Sequence, residues 1–243
     1  MNQTLHCIAL RTVAISDSKS LVTAWSREAG RVTFAFPAGG SRESRRRRAL
    51  SSPLGLFEGR SEIKPGHEIL SLRDFSPMAG SPALAPRDIW RTMQATFLAE
   101  VLDRLLTRTA PEEILSDYLF DSMRTLARTQ DARACANFHL VFLYGLCRFA
   151  GIAPNLDGLG PGAVFDLREG CCRPSRPLHT DYIDAPQTPV LRILARSNFN
   201  NMHRLRFSRG ERREILARML QYYSIHLGTL SELKSLAVLS ELD

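Results

Sequence analysis

Residues 19–36 read KSLVTAWSREAGRVTFAF, and this stretch decides the fold of the N-terminal part of the chain. Leu21, Thr23 and Trp25 share one face at period two. Val32, Phe34 and Phe36 do the same after Arg27-Glu28-Ala29-Gly30. Such alternation belongs to half-buried strands rather than a helix. Gly30 is free to take positive φ, so the four residues between the runs read as a hairpin loop. Working outward, His6 to Ile15 is rich in strand formers and supplies a first strand. Leu54 to Ile63 and His67 to Phe75 supply a fourth and a fifth, with Pro65-Gly66 turning between them. Five short strands in succession predict a small closed barrel, because closure removes exposed edges.

Between the third and fourth strands lies Gly39-Gly40-Ser41-Arg42-Glu43-Ser44-Arg45-Arg46-Arg47-Arg48. Four consecutive arginines cannot be buried, so this segment is expected to be a mobile, solvated loop. Ser76 to Pro86 carries three prolines and a glycine. The expected organisation is therefore a barrel over 1–78, a linker over 79–86 and a helical domain over 87–243. In the last of these, Ile89, Met93, Phe97, Val101 and Leu105 recur every four residues, and Trp90, Leu98 and Leu102 widen the stripe. Thr109-Ala-Pro-Glu112 spells a capping box before a helix running to about Arg128. Asp131 to Phe149 is apolar nearly all round and reads as the buried centre of a bundle, stopped by Gly151. Residues 152–185, with four prolines and the Cys171-Cys172 pair, read as mostly irregular with a short helix at best. Helix returns at Pro189 to Arg196. It returns again behind a second capping box, Ser208-Arg-Gly-Glu211, as far as Gly228, and last over Leu230 to Leu242.

The chain has 243 residues, 44% hydrophobic and 23% charged, which excludes wholesale disorder, collagen and disulfide miniproteins. Its longest apolar run, Leu140 to Cys147, is far short of the roughly 20 residues a bilayer span needs, so no membrane partner is expected. No secretory signal is visible. Five cysteines, two of them adjacent, form no disulfide framework and fit a reducing cytosol, so a cytoplasmic location is expected.

Lys and Arg number 32 against 25 Asp and Glu, a formal charge of +7. Residues 1–80 hold 12 basic and 7 acidic side chains, so most of the excess sits on the barrel. A basic module beside a nearly neutral one suggests a polyanion partner. Small barrels bind single strands by combining a cationic groove with aromatic platforms. The candidate DNA-binding cations are Arg11, Lys19, Arg27, Arg31, Arg42, Arg45, Arg46, Arg47 and Arg48. Phe34 and Phe36 share a face with Val32 and read as core. Trp25 stands open between core and stacking platform, and Phe57 is a further candidate. A second basic cluster runs through Arg204, Arg206, Arg209, Arg212 and Arg213, where Glu211 and Glu214 interleave as ordinary helix pairing. Arg204 and Arg206 are its candidates for DNA.

Catalytic signatures are absent: no G-x-S-x-G, H-E-x-x-H or P-loop occurs, so no catalytic residues and no enzyme are expected. Cys171, Cys172 and His179 tempt a metal reading. Structural zinc, however, wants four ligands, usually from C-x2-C pairs, and no such pair exists here. No metal ligands and no cofactor are expected. His139, in the apolar helix, reads as a core histidine.

Three passages together resemble the RecO family of bacterial recombination mediators. They are Leu10-Arg11-Thr12 through Asp17-Ser18 to Glu28-Ala29-Gly30-Arg31; Phe165-Asp166-Leu167 with Gly170-Cys171; and Tyr222-Tyr223-Ser224-Ile225-His226-Leu227-Gly228 followed by Leu233-Lys234-Ser235-Leu236 and Val238-Leu239. The resemblance implies an α+β protein, a five-stranded OB-fold barrel followed by an α-helical bundle. It also implies a four-cysteine zinc site, from which this chain departs, having only Cys171 and Cys172 in the 152–185 region. The implied activity is binding of single- and double-stranded DNA and annealing of complementary strands coated by single-stranded DNA-binding protein (SSB). Loading of RecA with RecR, and docking of the SSB C-terminal tail on the helical domain, are implied with it. An RNA-binding OB module and a protein-only adaptor of the SSB tail remain the rival readings, with a hydrolase using His179 and the cysteines behind them.

Overall fold

The computed structural model describes residues 2–63, 69–85, 88–107, 110–228, 230 and 233–236. The chain divides into two compact units. One comprises Met1–Thr129 and Leu233–Leu239, the other Gln130–Glu232 and Ser240–Asp243. The stretch 79–86, expected as a linker, lies within the first: Ser81 is buried and its Oγ accepts a 2.7 Å bond from Leu56 N.

The first unit is built on β1 (Asn2–Ser16), β2 (Lys19–Ser26), β3 (Gly30–Pro37), β4 (Leu56–Glu62), β5 (Ile69–Leu70) and β6 (Arg73–Pro77), in the order β5-β3-β2-β1-β4-β6. The hairpin stands where the alternation put it: Ser26 pairs with Gly30, and Gly30 has φ 65°. The expected fifth strand is two. Ile69–Leu70 pairs parallel with β3, and Arg73–Pro77 pairs antiparallel with β4. Only Ser71-Leu72 separates these pieces at opposite edges of the sheet, so the sheet must curl to bring its edges together. The Pro65-Gly66 turn and the start of that strand at His67 lie outside the described residues. Inside the curl sit Leu5, Cys7, Ala9, Val22, Ala24, Phe34, Phe36, Phe57, Leu70, Leu72 and Phe75. Phe36 and Phe75 meet edge to face at 5.2 Å, a favoured aromatic geometry.

The arginine run is not a loop. It forms α1 (Arg42–Leu50), packed on β3. Ser41 Oγ accepts from Ser44 N at 3.0 Å as the N-cap, and Glu43 in the first turn takes Arg47 Nε at 3.0 Å one turn on. Arginine is a good helix former. Ser44, Arg47 and Leu50, three apart, face the barrel. The Arg47 guanidinium lies 5.8 Å from the Phe36 ring centre and 5.9 Å from that of Phe75. Helix formation thus buries one arginine stem in five and leaves the others in water.

The end of α1 is strapped to β1 through Leu54 N to Ala9 O and Ala9 N to Gly55 O, both 2.9 Å. Gly55 has no room for a side chain, since a Cβ there would stand 2.2 Å from Leu50 O and 2.9 Å from Ser52 O. Both obstacles are backbone. Gly55→Ala is therefore expected to cost about 3 kcal/mol, the upper range for overpacking, read by urea denaturation. A loss under about 1 kcal/mol would mean that the end of α1 is free to shift.

α2 (Ile89–Leu105) and α3 (Glu113–Arg128) complete the first unit. Phe97, Leu98, Val101 and Leu102 are buried as the stripe requires, but Ile89 and Trp90 are exposed beyond its end. α3 begins at Glu113 with Glu112 as N-cap and no side-chain cap bond, later than the expected box, whose Thr109 lies outside the described residues. In the second unit α4 (Ala132–Leu146) is the central helix, with Phe138, Leu140, Phe142 and Leu143 fully buried. α5 (Pro189–Ala195) and α6 (Arg209–Leu227) pack against it. The Ser208–Glu211 capping box is present, and Gly228 ends α6 at φ 67°.

Residues 152–185 hold no helix among those described. They form a small antiparallel sheet instead, β7 (Val164–Asp166) between β8 (Cys171–Arg173) and β9 (Tyr182–Ile183). The tyrosines of α6 tie the unit together. Tyr223 donates to Leu143 O at 2.8 Å, Tyr222 donates to Ile152 O at 3.0 Å, and His226 Nε2 lies 2.8 Å from Leu167 O. The helix expected over Leu230–Leu242 is described only as the turn Lys234–Leu236; Val238 and Leu239 lie outside the described residues.

Candidate nucleic-acid interface

On α1, Arg42, Arg45, Arg46 and Arg48 are exposed. Arg46 lies 4.0 Å from Glu43. Arg42, Arg45 and Arg48 have no ion-pair partner among the described residues. Arg48 also lines a groove of 780 Å³ within the first unit, together with Arg11 from β1, Thr96, Glu100, Asp103 and Arg104 from α2, and Lys234 from the returning C-terminal segment.

The groove's two carboxylates are already engaged. Asp103 takes Arg11 Nε at 3.1 Å and an Arg31 nitrogen at 2.6 Å. Glu100 takes Arg104 at 2.9 Å, Lys234 N at 3.0 Å, Ser235 N at 2.8 Å and the Ser235 hydroxyl at 2.5 Å. Burial alone would push the Glu100 carboxyl up. The Ser235 and Lys234 hydrogen bonds and the Arg104 charge outweigh it and hold the group below its ordinary range. A polyanion entering this groove meets Arg48 and the Lys234 ammonium without a local counter-ion among the described residues.

The other expected site residues divide by partner. Arg31 also donates to the carbonyls of Asp103 and Leu106, at 2.8 and 3.0 Å, so it caps the end of α2 rather than facing solvent. Arg27 pairs with Asp117 at 2.5 Å and lies over Phe120 at 5.3 Å. Arg47 is spent on Glu43 and the barrel aromatics. Lys19 is exposed where β2 begins. Trp25 is corrected: it is 1% exposed, covered by α3, with Nε1 donating to Ser116 Oγ at 3.0 Å, and is no stacking platform. Phe57 is core as well. Arg204 and Arg206 are exposed in the second unit. Sequence reasoning missed Arg104 and Lys234. Arg104 had a signal in its one-turn spacing from Glu100, whereas the place of Lys234 depends on a long-range return of the chain.

Within 152–185, Cys171 and Cys172 are free thiols on adjacent positions of β8, where successive side chains point to opposite faces. The hub is Asp166 instead. Its buried carboxylate accepts from Arg168 N at 2.9 Å, Glu169 N at 3.1 Å and Arg173 Nε at 3.1 Å, with His179 Nε2 at 3.4 Å. Desolvation pushes Asp166 up, but those two amides, then His179 and Arg173, hold it below the ordinary carboxylate range. The donors present do not fit tetrahedral zinc. His139 is fully buried, and burial with the nearby Arg212 charge pushes it down to about 3, so it stays neutral.

The second unit also holds an apolar pocket of 330 Å³ among Tyr144, Phe165, Leu191, Leu194, Ile215, Met219 and Tyr222, with Glu211, Glu214 and Arg218 lining it too. No described helix is long and apolar enough to cross a membrane.

Comparison with known proteins agrees with these observations. Residues 86–237 match the family described as recombination protein O, C terminal. The DNA repair protein RecO of Phocaeicola vulgatus is 34% identical over 235 residues, covering 97% of this chain and 96% of that protein. Its namesake in Bacteroides fragilis is 34% identical over 239 residues, covering 97% and 96%. That of Porphyromonas gingivalis is 32% identical over 242 residues, covering 98% and 97%. With a curled N-terminal barrel, a helical region behind it and similarity running along nearly its whole length, the chain belongs to the RecO family of DNA repair proteins.

Proposed function

We propose that this chain is a non-enzymatic recombination mediator. It binds single-stranded DNA along the outer face of α1 and the adjoining groove, and anneals complementary strands coated with SSB. With RecR it helps load RecA. The observation that carries this reading is the set Arg42, Arg45 and Arg48, unpaired among the described residues and leading to a groove whose acids are already neutralised.

The mechanism follows from what the surface offers and what it withholds. Arginines neutralise phosphates and lower the repulsion between two strands. The barrel aromatics are interior, so bases are not drawn into stacking on Trp25, Phe34, Phe36 or Phe57. A protein that grips the backbone and leaves base edges open favours pairing without nucleotide hydrolysis. The same charges serve the double-stranded product. Zinc has no part in this reading, because Asp166 already organises the small sheet. The RecR, RecA and SSB partnerships and a cytoplasmic location rest on kinship. The acidic SSB tail is not assigned to the 330 Å³ pocket, since two carboxylates line it against one arginine.

The test is the triple variant Arg42→Ala/Arg45→Ala/Arg48→Ala. Removing three phosphate contacts should flatten the slope of log affinity against log salt by about 2 for single strands. Annealing of SSB-coated strands, without ATP, should slow in parallel. An unchanged slope with unchanged annealing would remove α1 from the interface. Tighter binding of a matched RNA strand than of DNA would favour the RNA reading instead.

A further inference from the structure

The second unit carries a cationic cavity of 420 Å³ between α5 and the loop Leu159-Gly160-Pro161-Gly162. Arg192 and Arg196, one helical turn apart, line it from one side, and no Asp or Glu is among its lining residues. Three other arginines of the unit have carboxylate partners. Arg168 is paired with Asp181, Arg173 with Asp166 and Arg176 with Asp184. Arg192 is fixed in place by a bond from its guanidinium to Leu159 O, and the Arg196 guanidinium has no partner among the described residues. Both sit in the last turn and C-cap of α5, so their positive charges add to each other at one end of the helix. The loop opposite contributes Gly160 and Gly162 beside Leu159 and Pro161, and a Cβ on Gly162 would meet nothing within 4 Å. Two guanidiniums facing a loop with two glycines, and no carboxylate in the lining, suit a tetrahedral oxyanion held by charge-assisted hydrogen bonds.

We infer that this cavity binds a phosphodiester group of a nucleic-acid strand and gives the second unit a strand contact of its own. The inference rests on the proposed function and extends it. Annealing needs two strands held at once, and the α1 surface accounts for one.

The test titrates the full chain with fluorescently labelled oligo-dT and reads a first, tight strand-binding event and a second, weaker one. Wild type is compared with Arg192→Ala/Arg196→Ala and with the α1 triple variant. The α5 double variant should bind the first strand within about twofold of wild type and the second about tenfold more weakly, with thermal unfolding unchanged. The α1 triple variant should lose the tight event and keep the weaker one. Second-strand capture unchanged in the double variant overturns the inference and leaves the α1 reading standing. Absence of any strand binding by wild type overturns both. Inorganic phosphate titrated into the same proteins separates the sources. Phosphate binding that needs Arg192 and Arg196, with second-strand capture unaffected by their loss, would assign the cavity to a small anion and reject the nucleic acid.

Discussion

Trp25→Ala is expected to lower stability by about 4 kcal/mol, in the range found for emptying a buried aromatic site. The residue is on the outer face of β2, opposite the barrel core, yet it is 1% exposed because α3 lies over it. Its indole N–H is matched to the Ser116 hydroxyl at 3.0 Å, itself buried. Alanine leaves a cavity between barrel and helix and strands the hydroxyl. Trp25→Phe separates the two contributions: most of the packing remains, and the lost hydrogen bond should cost about 1 kcal/mol. Urea denaturation of both variants measures this. The same Trp25→Phe protein should bind single-stranded DNA within twofold of wild type, since the ring does not reach solvent. A large loss of affinity in a protein that remains folded would restore the stacking role.

The second large effect is expected at Asp166. Replacing it by the isosteric asparagine removes one charge from the hub of the β7–β9 sheet, where the carboxylate is 1% exposed. Arg173 loses its nearer carboxylate, though Glu169 lies 3.9 Å away and Arg173 keeps water on its outer side. That exposure places the loss near the lower end for a broken buried pair, about 3 kcal/mol. The pH dependence gives an independent sign. Asp166 is held below its unfolded value of about 3.9. Its contribution is therefore complete above that value and is lost as pH falls through the lower, folded one. The stability gap between wild type and Asp166→Asn should be widest near neutrality and shrink below about pH 4. A gap constant to pH 2 would show that the charge of Asp166 is not what holds the sheet.

The legible parts of this fold were those written in local period. The β2–β3 hairpin followed from Leu21, Thr23, Trp25, Val32, Phe34 and Phe36 around Gly30. The Ser208 box and Gly228 marked both ends of α6. α1 was missed because four neighbouring arginines looked unburiable. The overlooked signal was the three-residue recurrence of Ser44, Arg47 and Leu50 behind a Ser41 cap. β7, β8 and β9 are two or three residues long, too short for any periodicity to register. The split of the fifth strand depends on pairing with both sheet edges, which no local window contains. For the candidate site, the run Arg42–Arg48 was visible as charge, but which arginines point outward was not. Arg27 and Arg31 looked the same as Arg45 until their partners, Asp117 and Asp103, came into place from helices some 70 to 90 residues on.

Lys234 and Ser235 return to Glu100 across 134 and 135 residues of chain. In the order of synthesis, then, the second unit is an insertion into the first. At a ribosomal pace of about 5–20 residues per second, Glu100 waits roughly 7 to 27 s for the amides that will hold it. Throughout that interval the barrel and its two helices stand as an unfinished body, with one wall of the groove still unmade. The nascent chain thus acquires its complete basic groove only after residues 130–232 have emerged and had time to fold.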